Sequence, residues 1–209
     1  MRGKKQASNR AIFLDRDGTV TEEVGYVNDP NRLTLLPMAG RAISLINQSP
    51  FKAILTTNQA GVARGYFPES MVIRVNKWLE TLLLIEGAFL DRIYYCPHHP
   101  REGEKPYRNK CRCRKPLPGM LIKASRDFNL DLSECYVIGD KLSDVEFAEN
   151  AGAKAVIVKS GYGDGELKIN NKDSSIKPLY IAECLLDAVL WIFDKEGIEL
   201  KTDFLLYGK

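Results

Sequence analysis

The chain has 209 residues, 44% of them hydrophobic, enough to bury one sizeable core and short for two. Lys and Arg number 30 against 27 Asp and Glu, and an interspersed excess of +3 is too slight to imply a nucleic-acid partner by itself. No apolar run approaches the roughly 20 residues of a membrane helix. The basic start Arg2 to Lys5 leads into polar Gln6 to Arg10 rather than a signal core, so a cytoplasmic protein off the membrane is expected.

Short apolar runs alternate with longer amphipathic ones. That pattern predicts an α/β fold: a single doubly wound, Rossmann-like, mostly parallel sheet with helices on both faces. Ala11 to Leu14 predicts the first strand, which stops abruptly at Asp15-Arg16-Asp17-Gly18-Thr19. Val20 to Leu36 reads as a long loop. A helix opens at Pro37, turns Ile43, Leu45 and Ile46 to the core, and is closed by Ser49-Pro50. Ala53 to Leu55 is the second strand, running into Thr56-Thr57-Asn58. The next helix starts at Pro68, carries Val72, Val75, Leu79, Leu82 and Leu83 inward, and ends at Gly87.

Ile93 to Tyr95 is a third strand, and the Cys96 segment beyond it stays irregular to about Lys115. A helix over Gly119 to Phe128, a strand over Cys135 to Ile138 ending in Gly139-Asp140, and a helix over Val145 to Ala151 follow. Ala155 to Val158 is the last strand expected. Gly161 to Ser175 reads as a polar loop and Tyr180 to Asp194 as a final helix; Ile198 to Lys209 carries no recognisable pattern. A single domain is expected over 1–209, with its core over 11–160 and a C-terminal helix and tail over 169–209. At least four strands finish in polar or charged residues, where open parallel sheets place ligand sites.

Asp15 and Asp17 are two carboxylates two positions apart, in a turn that Gly18 permits. Covalent phosphoryl transfer needs a carboxylate nucleophile, a second acid for the leaving oxygen, and a cation. Turn-capping aspartates are the plain alternative for an isolated pair of this kind. An EF-hand is excluded, because the acidic alternation stops and no Glu stands at the twelfth loop position. Thr56-Thr57-Asn58-Gln59 offers donors to phosphate oxygens, and Arg114-Lys115 offers fixed positive charge. Asp140, beside Lys141, suits Mg2+. Asp144, one turn on, fits a helix cap as well as it fits a ligand.

Taken together and in this order, each behind a strand, these motifs resemble the haloacid dehalogenase superfamily of phosphatases over about residues 11–160. The resemblance implies that Asp15 is the nucleophile that forms an aspartyl-phosphate. Asp17 would be the general acid and base, lending its backbone carbonyl to Mg2+. Thr57 and Asn58 would bind phosphate, Lys115 would stabilise charge, and Asp140 would be the side-chain Mg2+ ligand.

Five cysteines are an odd number, and three crowd into one stretch with two histidines, which favours a metal over disulfides in a reducing compartment. Cys96, His98, Cys111 and Cys113 supply a Cys3His set for a structural Zn2+. His99 is a spare imidazole, while Cys135 and Cys184 read as small buried hydrophobes. The zinc loop ends one residue before Arg114-Lys115, so a bound ion would hold those cations towards the phosphate.

DRDGT, TNQAGVARG, CPHHP, CRCRKP and GDK resemble the heptose 1,7-bisphosphate phosphatases and the related histidinol-phosphate phosphatases, with Ala60 where Ser is usual. The long segment between His98 and Cys111 resembles the heptose group. The resemblance implies hydrolysis of a sugar 7-phosphate for nucleotide-activated heptose in lipopolysaccharide synthesis, with histidinol phosphate or another small sugar phosphate as the alternative. Glu23, Val24, Gly25 and Tyr26 would contact the sugar, and Arg114 the other phosphate, with Gln59, Ala60 and Lys141 beside them. No insertion of cap-domain size follows Asp17 or Asn58, and a monomer is expected. A zinc-dependent nucleic-acid-binding protein is disfavoured: no long basic stripe is interleaved with aromatic residues, and the strand-end motifs would go unexplained.

Overall fold

The computed structural model describes residues 9–169 and 177–199. The basic start at Arg2 to Lys5, part of the polar stretch after Gly161, and most of the final tail lie outside the described residues. Among the described residues six strands form one sheet: β1 (Arg10–Leu14), β2 (Phe51–Asn58), β3 (Arg92–Cys96), β4 (Tyr136–Gly139), β5 (Lys154–Val158) and β6 (Tyr180–Ala182). The order is β3-β2-β1-β4-β5-β6 and every pairing is parallel. The helices are α1 (Ala39–Asn47), α2 (Glu69–Ile85), α3 (Gly119–Phe128), α4 (Leu142–Glu149), α5 (Gly163–Ile169) and α6 (Leu185–Lys195).

Strand side chains alternate between two cores, as a period of two requires. Ile12 and Leu14 of β1 pack with Leu55, Ile138 and Val158 under α1, α2 and α6. Ala11 and Phe13 point the other way, into a cluster with Val137, Ile157 and the inner faces of α3 and α4, including Leu121 and Phe147. The expected double winding is present. Strand order reverses between β1 and β4, and such a reversal opens a crevice at the carboxyl ends of the strands. Asp15 leaves β1 and Asp140 leaves β4 on either side of that crevice.

Several expected boundaries move. Tyr180 to Asp194 is not one helix: Tyr180–Ala182 is the sixth strand, hydrogen-bonded to β5, and α6 starts at Leu185. The polar loop after Gly161 contains a short helix, α5, whose first turn carries Asp164 and Glu166. Acidic side chains there suit the positive end of a helix. Helix α4 begins at Leu142 instead of Val145, because a capping box closes on it: the Asp144 carboxylate accepts from the Lys141 backbone N–H at 3.2 Å. Among the described residues no helix is long and apolar enough to cross a membrane.

Phe147 is fully buried where α4 meets the sheet. Phe147→Ala is expected to lower unfolding free energy by about 3–5 kcal/mol, the cost of a large core cavity. Urea denaturation should show a shifted midpoint at unchanged slope.

Candidate active site

The DRDGT turn is folded around one carbonyl. The Arg16 oxygen accepts from the N–H groups of Val20 and Thr21 at 2.9 Å each and from the Thr21 hydroxyl at 3.2 Å, while the Gly18 N–H bonds the Thr21 carbonyl at 2.7 Å. Gly18 has φ +88°, and a Cβ there would lie 2.2 Å from a carboxylate oxygen of Asp140. Gly161, at φ +59°, closes on the same carboxylate from β5, where a Cβ would meet it at 2.4 Å. Only glycine serves at either place: the backbone is left-handed and the space is taken.

Beside this turn the buried Lys115 ammonium donates to Asp15 Oδ1 and to Asp144 Oδ1, both at 2.7 Å. Burial works against its charge, but Asp144 and Asp15 outweigh burial and its pKa is raised, so it stays cationic. Asp144 is raised as well, by burial against the pull of Lys115. Asp140 is fully buried; it accepts from the Tyr162 N–H at 2.9 Å and lies 3.4 Å from the Lys141 ammonium. Burial, then the nearby charge of Asp15, push its carboxyl up to about 7.

One carboxylate oxygen from each of Asp15, Asp140 and Asp144 falls within a 4.8 Å span. Packing buried carboxylates this closely raises proton affinity, and a hard divalent cation bound by oxygen relieves the same strain. The residues therefore fit such an ion. Asp144 resolves the choice left open by sequence into two uses at once, one oxygen capping α4 and the other holding Lys115. The Asp17 side chain is outside the cluster and turned towards Arg16, at 2.9 and 2.8 Å.

A cleft of about 410 Å³ opens over these groups, lined among others by Asp15, Asp17, Glu23, Gly25, Tyr26 and Thr57. Asn58, Gln59, Ala60, Arg114, Lys115, Lys141 and Asp144 also reach it. Val24 does not: it packs against the hydrophobic core. The Asn58 amide is committed elsewhere, its oxygen accepting from the Lys115 N–H at 3.1 Å and its nitrogen donating to the Lys115 carbonyl at 3.2 Å. That two-point clasp fixes the backbone whose ammonium reaches Asp15. Ser143 and Tyr162 line the cleft and were not expected. Tyr162 stands just past β5, so the strand-end rule that singled out the other positions reaches it too; Ser143 had no signal.

Strand β3 ends at Cys96, the first of the clustered cysteines. Cys96 Sγ lies 3.5 Å from Cys111 Sγ, 3.3 Å from Cys113 Sγ and 3.7 Å from His98 Nδ1, and Cys113 Sγ lies 3.4 Å from that nitrogen. Tetrahedral zinc with bonds of about 2.0–2.3 Å spaces its ligands by about 3.3–3.8 Å. The four residues fit it. Hydrogen bonding from Cys96 holds the Cys113 thiol down to about 5, while Cys96 itself is pushed up. The Arg114 guanidinium donates to the His98 carbonyl at 3.3 Å, so this loop does grip one of the two cations. His99 turns away, its Nδ1 accepting from the Glu102 N–H at 2.9 Å.

A HAD-hydrolase-like family profile matches residues 112–188. The D-glycero-beta-D-manno-heptose-1,7-bisphosphate 7-phosphatase of Haemophilus ducreyi is 42% identical over 73% of this chain and 84% of its own length. The chain belongs to this family of haloacid dehalogenase-like hydrolases. The D-glycero-D-manno-heptose-1,7-bisphosphate 7-phosphatase of Thermosynechococcus vestitus is 40% identical over 87% of this chain and 94% of its own. Among solved structures, the D,D-heptose 1,7-bisphosphate phosphatase of B. bronchiseptica, complexed with magnesium and phosphate, superposes with a TM-score of 0.79 at 30% identity, covering 89% of this chain and 99% of that one.

The raised carboxyl of Asp140 sets a pH dependence. Its folded value of about 7 stands above the ordinary 3.8, so the metal-free fold holds a proton that the unfolded chain releases, and stability falls as pH rises between those values. Asp140→Asn is expected to raise the melting temperature of magnesium-free protein at pH 8 by a few degrees and to abolish any gain on adding magnesium. Differential scanning calorimetry at pH 5 and 8 checks this; a lower melting temperature for the variant at pH 8 would contradict the assigned crowding.

Proposed function

We propose that this chain is a magnesium-dependent phosphatase that hydrolyses the 7-phosphate of D-glycero-D-manno-heptose 1,7-bisphosphate through an aspartyl-phosphate on Asp15. The observation that carries the reading is Asp15 at the carboxyl end of β1, ion-paired to buried Lys115 at 2.7 Å and grouped with Asp140. The substrate rests on the activity named for the relatives that are about 40% identical over most of the chain.

An Asp15 carboxylate oxygen attacks phosphorus, forming an O–P bond as the P–O7 bond breaks. Asp17 gives its proton to the departing O7 oxygen. Asp17 then takes a proton from water, the water oxygen bonds to phosphorus, and the Asp15–phosphorus bond breaks to release inorganic phosphate. Lys115 holds Asp15 in line and offsets the charge on the equatorial oxygens. Thr57, at the end of β2, supplies a hydroxyl to the phosphate. Asp15, Asp140 and the Asp17 backbone carbonyl would hold magnesium, which would neutralise phosphoryl charge. Glu23, Gly25, Tyr26 and Lys141 face the sugar, and Arg114, steadied by the zinc loop, faces the second phosphate. A Cys3His set that holds metal suits a reducing cytoplasm, where thiols are kept from pairing.

Asp15→Asn is expected to abolish turnover and phosphoenzyme together, by at least about 1,000-fold. Asp17→Asn should slow phosphoenzyme formation from the alkyl phosphate while leaving the nucleophile in place. Near-normal turnover by the Asp15 variant would invert the roles. Initial rates on heptose 1,7-bisphosphate anomers, histidinol phosphate and simple sugar phosphates should rank the heptose first; faster cleavage of histidinol phosphate would reassign the substrate.

The Cys3His loop is expected to carry one zinc per chain in protein purified without chelator, by elemental analysis. Cys113→Ser should lose the metal and lower the melting temperature. Protein that is folded and active without zinc would remove the structural role.

A further inference from the structure

Among the described residues Arg16 is the largest fully buried side chain, 1% exposed, and the two-step reaction above makes no use of it. A cation withdrawn from water is costly unless its donors are satisfied. Its donors go to two places. Nε and Nη2 form a fork on the Asp17 carboxylate, at 2.9 Å to Oδ1 and 2.8 Å to Oδ2. Nη1 donates to Asn76 Oδ1 at 3.2 Å.

Asn76 is unusual in its own right. Helix α2 buries Val72, Val75, Leu79 and Leu83 against the core, and Asn76 is the buried amide on that apolar face. An amide placed among aliphatic side chains needs a partner, and its partner is Arg16. The Asp17 carboxylate is further held by the Gln59 amide, which donates to Oδ2 at 3.0 Å, and Gln59 also donates to the Thr57 hydroxyl at 2.9 Å. Asp17 remains open to the cleft.

We propose that Arg16 is a positioning residue for proton transfer: its guanidinium fork, anchored on α2 by Asn76, aims the Asp17 carboxylate at the leaving oxygen. The inference rests on Asp17 being the proton donor and acceptor. A fork contacting both oxygens fixes the plane of a carboxylate as a single ammonium cannot. Positional error of this kind acts on the step in which a proton moves, and has little effect when the leaving group departs without one.

The test exploits that difference. Wild type, Asp17→Asn, Arg16→Lys and Asn76→Ala are compared in rapid-mixing experiments with magnesium. One substrate is a sugar phosphate, whose alkoxide must be protonated; the other is 2,4-dinitrophenyl phosphate, whose phenolate leaves unaided. The readout is the rate of the first phosphoryl transfer. Arg16→Lys is expected to slow transfer from the sugar phosphate about 100-fold while the dinitrophenolate burst stays within about 3-fold of wild type. Asn76→Ala should show the same split at about 5- to 10-fold, and it keeps the test open if Arg16→Lys does not fold, since it removes one hydrogen bond from the guanidinium and leaves the fork in place. If Asp17→Asn shows the split but Asn76→Ala and any folded Arg16→Lys slow both substrates equally or neither, the positioning role is wrong. If Asp17→Asn itself shows no split, it is the assignment of Asp17 that fails.

Discussion

The buried ammonium of Lys115, bonded at 2.7 Å to both Asp15 and Asp144, is the interaction on which the rest of this structure depends. It comes from the end of the cysteine loop and joins the ends of β1 and α4, which lie on opposite sides of the strand-order reversal. Three carboxylates packed around a crevice would repel one another without it. Because it is flanked by Asp144 and Asp15, its own charge is secure despite burial. Asp140, buried and crowded by the Asp15 charge, is left with a raised proton affinity, and that is what makes the place receptive to a divalent ion.

Much of this was legible in sequence because the fold class and the site follow from the same pattern. Apolar runs ending abruptly in Asp15, Asn58 and Asp140 say both that the strands are parallel and that their ends converge. The losses have particular causes. β6 is three residues long and runs into α6 without a Gly or Pro between them, so the two read as one apolar segment. Gly161, Gly163 and Gly165 disguise α5 as a loop. Asn58 has the residue type of a phosphate donor, and only the fold reveals that the Lys115 backbone occupies it. The bond from Arg16 to Asn76 spans 60 positions and has no local signature.

The cysteine loop is tied to the cleft at more than one point. Besides the bond from Arg114 to the His98 carbonyl, Glu102 forms an ion pair with Arg64 at 2.6 Å, and the Arg64 guanidinium lies 5.9 Å from the ring centre of Tyr26. Tyr107 of the same loop donates to Glu69 at 2.9 Å, as Tyr95 of β3 does at 3.0 Å, which fastens the loop to the start of α2. Surface ion pairs of this kind contribute little stability singly. Their effect is geometric: the loop is fastened to the Tyr26 segment on one side and to α2 on the other.

The close approach of Gly161 and Gly18 to Asp140 bears on how the protein is made. The aspartates and the lysine are all synthesised by the time Asp144 has left the ribosome, yet the wall that seals Asp140 arrives only with the turn after β5. A nascent chain that stops at α4 therefore carries the three aspartates and the lysine without the glycine that closes on Asp140 from the far side. The confinement of Asp140 is thus completed one strand past the last of the grouped carboxylates.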